Sequence, residues 1–209
     1  MRTPSIIRQV EAYWEGLRPY GDLPQRDQID PRGLDSALDF AFLLERSHTG
    51  EPVFKLGGER LGDILGIPLE RVPMVALFSQ SLQPAVNSAV TSVLDEPSLL
   101  RAELTSERGV MRPEVDAHLL LLPLKDGAGH ISQALGVLHF DDAIGRSPRQ
   151  FTRFSHNLTR LVLSVAPAPQ IPTPQPLGMA EQMSEFVYEN GRPEISGRPK
   201  LTVIKGGLP

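Results

Sequence analysis

An α+β fold follows from three features of this 209-residue chain. Segments with helical and strand periodicity come in the order helix, two strands, short helices, three strands. The apolar period drops from three-to-four residues to two just after Pro97. Helix-like segments also bracket this core, and a proline-rich stretch follows the last of them. Together these predict an antiparallel five-stranded sheet with short helices inserted between its two parts and an amphipathic helix at each end.

The first helix opens at Thr3-Pro4, a capping hydroxyl followed by a proline at the first helical position. Ile6, Ile7, Val10, Tyr13, Trp14 and Leu17 recur at three- and four-residue spacing, so the helix has one apolar face that must dock. Pro19 ends it. Asp30-Pro31 repeats the cap-and-proline signal and opens a short helix through Leu38. Phe40 to Leu44 and Val53 to Leu56 read as two strands joined by the polar turn Arg46 to Pro52. Gly57-Gly58 breaks the second, and Glu59 to Leu65 forms one or two helical turns stopped by Gly66. A longer helix over Pro84 to Asp95 carries Val86, Ala89, Val90, Val93 and Leu94 on one side.

Leu100, Ala102 and Leu104 then alternate with Arg101, Glu103 and Thr105, as on a half-buried strand. Glu114 to Leu124 and Ile131 to Phe140 are two more strands, joined by the hairpin turn Lys125 to Gly129. Ser147-Pro148 begins a last helix, with Phe151, Phe154, Leu158, Leu161 and Val165 at helical spacing. Residues 1–165 therefore form the folded domain. Residues 166–178 are a proline-rich, polyproline II spacer of roughly 30 Å reach, and 179–209 a disordered tail with one strand-like scrap, Leu201 to Ile204.

The composition excludes several functions. With 0 cysteines there is no disulfide, thiolate metal site, Cys nucleophile or cysteinyl-flavin adduct. A net charge of -4 with both signs interspersed gives no general attraction for nucleic acid. Neither a bilayer-spanning apolar run nor a secretory or mitochondrial leader is present, so the expected location is the cytoplasm.

Within this frame, Tyr13-Trp14 with Leu17-Arg18, Leu23-Pro24 with Arg26, and Ile29-Asp30-Pro31 form one group of short motifs. Phe54-Lys55-Leu56-Gly57-Gly58 with Leu61 forms a second; Leu120 to Leu124, Asp126-Gly127 and Leu135-Gly136 form a third. In this order and spacing, over roughly Tyr13 to Phe140, the chain resembles the PAS-like family common in alphaproteobacteria. The resemblance implies a PAS-like fold and a sensory or regulatory module without catalytic residues, acting through its flanking helices.

Candidate sites are few. His118 and His139 fall on adjacent strands, and a facing pair of imidazoles suits a metal or a pH response; one residue of register turns them to opposite sides of the sheet. Haem sensing by a PAS domain typically uses a His on the helices between the strand groups, and residues 57–96 contain none. No cofactor is expected, and a non-covalent small ligand stays open. Glu103, Glu114 and Asp116 alternate with apolar residues as solvated strand positions do. Ser155-His156 lacks a nucleophile elbow, and the Gly57-Gly58/Gly62 pattern lacks the Lys-Ser/Thr pair of a phosphate loop, so no enzyme is expected. On the last helix Arg149, Arg153, His156 and Arg160 share a face, in a stretch free of Asp and Glu from 143 to 180, which suggests docking of an acidic partner protein or a phosphorylated group. Ile6, Ile7, Val10 and Trp14 on the first helix are the expected seam of a homodimer.

Overall fold

The computed structural model describes residues 3–141 and 143–163. Six strands form one antiparallel sheet: β1 (Ala41–Arg46), β2 (Pro52–Gly57), β3 (Ser98–Ser106), β4 (Asp116–Lys125), β5 (Ile131–His139) and β6 (Phe151–Arg160). Their spatial order is β2-β1-β5-β4-β3-β6. The helices are α1 (Ser5–Gly16), α2 (Glu59–Leu65) and α3 (Gln83–Asp95), with short 3₁₀ turns elsewhere.

The sheet is covered on both faces. Alternation along each strand sends Phe42 and Leu44, Leu100 and Ala102, Leu119 and Leu121 to the inner face, where α2, α3 and the turn Met74–Leu77 pack on them. The intervening residues Leu43, Leu99, Leu120, Leu122, Leu135 and Val137 point to the outer face and meet α1. Strands buried on both sides need nearly continuous apolar runs, which explains the unbroken Leu119–Leu122 of β4.

The first helix begins one residue later than Thr3-Pro4 suggests: Pro4 is itself the cap, with no side-chain capping bond. Its apolar stripe buries Ile7, Val10 and Trp14, and the Trp14 indole N–H donates to the Pro123 carbonyl across 3.1 Å. An Arg101–Glu11 ion pair ties the same helix to β3. Asp30 caps as expected, accepting from the Arg32 amide at 2.9 Å, but Pro31–Gly33 and Asp35–Phe40 are 3₁₀ segments rather than one helix. Gly66 closes α2 in the left-handed conformation, φ 70°.

The segment expected as the last helix is strand β6, so the sheet has six strands, not five, and the C-terminal flanking helix is absent from the described residues. Ser98 to Ser106 pairs with Phe151 to Arg160, with a bulge between Thr105 and Ser106 that lets Ser106 face Phe151 and Thr105 face Arg153. The free edge of β3 offers a row of backbone donors and acceptors, and this tertiary demand overrides a three-and-four spacing of only a few apolar residues. The spacer 166–178 and the tail, including Leu201 to Ile204, lie outside the described residues.

Candidate functional site

The inner layer holds the position where a PAS-like module would enclose a ligand, and it is filled. Phe54, Leu61, Met74, Leu77, Phe78 and Val86 are all essentially inaccessible there. The cavity lined by Ile64, Ser106, Val115, Phe140, Arg149 and Phe151 has a volume of about 10 Å³, no more than a single water requires.

Arg149 closes that cavity, and it is not a docking residue. It is 2% exposed and lies ahead of β6 rather than on a helix face. Its guanidinium donates to the carbonyls of Glu107 and Pro113, each at 2.6 Å, to Ser106 Oγ at 2.7 Å, and to the Ile144 carbonyl. Ser106 Oγ accepts in addition from the Val115 amide at 2.9 Å. Burial lowers the Arg149 pKa, partly offset by Glu107. The charge is dispersed over carbonyl dipoles of two loops, β3–β4 and β5–β6, which is why a buried arginine is tolerated.

The other members of that group are separated by the strand. Arg153 points to the outer face with Ser155; His156 and Arg160 point to the inner side with Phe154 and Leu158. Arg153 pairs with Glu114 at 3.6 Å and Arg160 with Glu96. His156 stacks on Phe154, ring centroids 4.5 Å apart and 13° from parallel. The four-residue basic face therefore does not exist, because a two-residue period replaces the helical one. Adjacent Ser155 and His156 lie on opposite faces, which also leaves no nucleophile pair.

His118 and His139 are directly opposed across β4 and β5. They sit on the outer face, in line with Glu103 and Ser155, each facing the next across the ladder. The His139 ring lies 4.9 Å from Phe40 and 3.4 Å from an Asp141 carboxylate oxygen. Burial lowers its pKa, Asp141 works against that, and His118 adds to it. Among the described residues no group of three His, Asp, Glu or Cys is arranged to hold a metal. Asp116 instead accepts from Thr105 Oγ1 at 2.9 Å.

The expected dimer seam is likewise corrected for its central residues. Ile7, Val10 and Trp14 are consumed by the chain's own outer sheet face, and Ile6 packs partly beside them. A helix whose apolar stripe finds a sheet in the same molecule has none left for a second copy.

Gly57-Gly58 has a packing reason. A Cβ on Gly58 would lie 2.3 Å from the Leu38 carbonyl oxygen, so the pair permits close backbone passage into α2. Several surface depressions lie among the described residues, and two of them bear on function. An open cleft of about 580 Å³ beside α2 is lined by Glu59, Arg60, Asp63 and Ser147. A groove of about 270 Å³ on the outer face of β1 and β2 is apolar, with Leu56 and Leu38 exposed at its walls and Arg26 at its rim. Neither had a signal in the sequence: the cleft forms between α2 and the loop carrying Ile144 and Ser147, and the groove where the 3₁₀ turns stop short of covering β1 and β2.

Among the described residues no helix is long and apolar enough to cross a membrane. No curated protein matches the chain significantly, and no solved structure does. One family model, described as PAS domain, matches residues 1–139, which spans α1 to the end of β5 and leaves β6 outside. With two thirds of its residues matched in this way, the chain belongs to the PAS domain family.

Proposed function

We propose that this chain is a non-enzymatic, cytoplasmic PAS-type regulatory module that works as an adaptor, through protein–protein contact. PAS domains are sensory and signalling modules, and the family match supports that general role. The observation that favours contact over ligand sensing is the packed inner layer, where Phe54, Leu61, Met74, Leu77, Phe78 and Val86 fill the space between the sheet and its helices. What this domain offers a partner protein is its surface: the apolar groove over β1 and β2 and the edge of β6.

A second reading rests on the open cleft beside α2. Its volume of about 580 Å³ lies within the roughly 300–1,000 Å³ typical of small-molecule sites, and its lining of both charge signs suits a polar ligand. This reading makes the protein a small-molecule sensor with a superficial site.

Native mass spectrometry of freshly purified protein against its denatured mass separates the two. A bare polypeptide mass is expected. A retained small molecule overturns the adaptor reading.

A further inference from the structure

We propose that the outer edge of β6 is a self-association surface, on which a second copy of this chain adds its own β6 antiparallel about His156. The inference rests on the protein-contact reading above but names the partner and the register.

β6 is a ten-residue edge strand. Among the described residues its outer side is engaged only at its first residue, where Phe151 bridges Phe78 and accepts from the Ser79 amide at 2.9 Å. The Leu161 amide donates to the Pro97 carbonyl beside β3. By strand alternation the odd-numbered residues from Arg153 to Thr159, beyond the bulge, aim their backbone groups at β3, and Phe154, His156, Leu158 and Arg160 aim theirs outward. Such a row of free amides and carbonyls is a template for another strand unless it is blunted. Blunting is light: residues 152–160 contain no proline, no lysine and no inward-pointing carboxylate, the bulge is confined to the first residues of the strand, and its charges are Arg153 and Arg160 near the two ends.

The sequence of the strand is complementary to itself. A two-fold axis normal to the sheet keeps the faces in register, so directly opposed residues must have positions of equal parity. Centring the axis on His156 sets Phe154 against Leu158 of the second copy, Ser155 against Asn157, Arg153 against Thr159 and Thr152 against Arg160. Aromatic meets aliphatic, amide meets hydroxyl, and no arginine faces another. A shift to an axis on Asn157 puts Phe154 against Arg160; an axis on Ser155 puts Leu158 against Thr152. The arginines at the two ends are already compensated within the chain by Glu114 and Glu96, which lowers repulsion between the copies. Phe154, part of the inner core, lies 5.7 Å from Phe78 in an edge-on contact, so the apolar row of the new pair would continue the core already present.

The test is sedimentation velocity of the full chain at tens of micromolar, with His156→Pro beside it. Proline removes only an outward-facing amide, so the ladder to β3 is kept. The wild type is expected to be a dimer, and the variant to weaken it by roughly tenfold or more in dissociation constant with an unchanged circular dichroism spectrum. A monomeric wild type overturns the proposal, whether the edge is left bare or is covered by residues beyond 163. A variant that dimerises as well as wild type also overturns it. Because the chain contains 0 cysteines, His156→Cys gives a second readout independent of the proline. Under mild oxidant it should cross-link to itself, and Thr159→Cys, displaced by six residues from its own copy, should not. Equal cross-linking of the two overturns the register. A retained ligand in the mass measurement would sink the adaptor reading while leaving this result intact, so the two fail separately.

Discussion

The two faces of the sheet are built from the same strands and have different fates. The inner face is closed from β2 to β3 by α2, α3 and the Met74–Leu77 turn, and aromatic pairs such as Phe42–Phe54, 5.1 Å apart, fix its packing. The outer face is covered over its middle by α1 and the turns that carry Leu23, Leu34 and Ala37, and is open toward both flanks. Toward β2 it shows the apolar groove with Leu56; toward β6 it shows the His118–Glu103–Ser155 row beneath the start of α1. In this PAS domain, burial therefore sets stability on one side, and incomplete cover leaves chemistry accessible on the other.

The heaviest test of that contrast falls on α1. Trp14→Ala should cost about 3–5 kcal/mol, because it removes the largest outer-face anchor and its bond to Pro123. If the layers are separate cooperative units, hydrogen exchange in the Trp14→Ala protein accelerates on α1 and leaves α3 protected; uniform acceleration would show that the faces act as one. Gly136→Ala probes the opposite side at lower cost. A Cβ there would lie 2.2 Å from the buried Phe42 ring, so overpacking should destabilise by about 1–3 kcal/mol, read by urea denaturation. A neutral result would mean that the inner layer has slack. The smallest effect is electrostatic. The folded pKa of His139 is held below its usual 6.5, chiefly by burial. Above that value both folded and unfolded states are neutral at this site and it contributes no slope. As the pH falls through it, the unfolded chain takes up the proton first, and stability declines. His139→Gln should flatten stability measured between mildly alkaline and mildly acidic pH; an unaltered slope assigns the decline to other groups.

What could be read from the sequence tracks this contrast. Strands β1 to β5 were expected within a residue or three of their ends because their apolar patterns are set by burial, as in Leu100, Ala102 and Leu104. The facing of His118 and His139 was open to one residue of register, which the bulge at Leu124/Lys125 settles. β6 was misread because an edge strand with little buried surface leaves only Phe151 and a few partly covered apolar residues to mark its period. Their three-and-four spacing mimics a helix, since the bulge displaces Phe151 and Leu161 already lies past the strand. Arg149 was misread for a deeper reason: nothing in the local sequence distinguishes a solvated arginine from one surrounded by carbonyls of Glu107, Pro113 and Ile144. Likewise, the apolar face of α1 was correctly seen to need a partner, but periodicity does not say whose.

Trp14 is the single tryptophan in the chain, and it sits wholly within the seam between α1 and the sheet, with the Arg18 guanidinium 5.4 Å above its ring. The protein thus carries an intrinsic optical probe confined to one of its two layers. A shift in its emission reports helix release from the outer face, while the ellipticity of the whole backbone reports both layers, so the offset between the two melting curves measures how far a signal arriving at one side of the sheet is felt at the other.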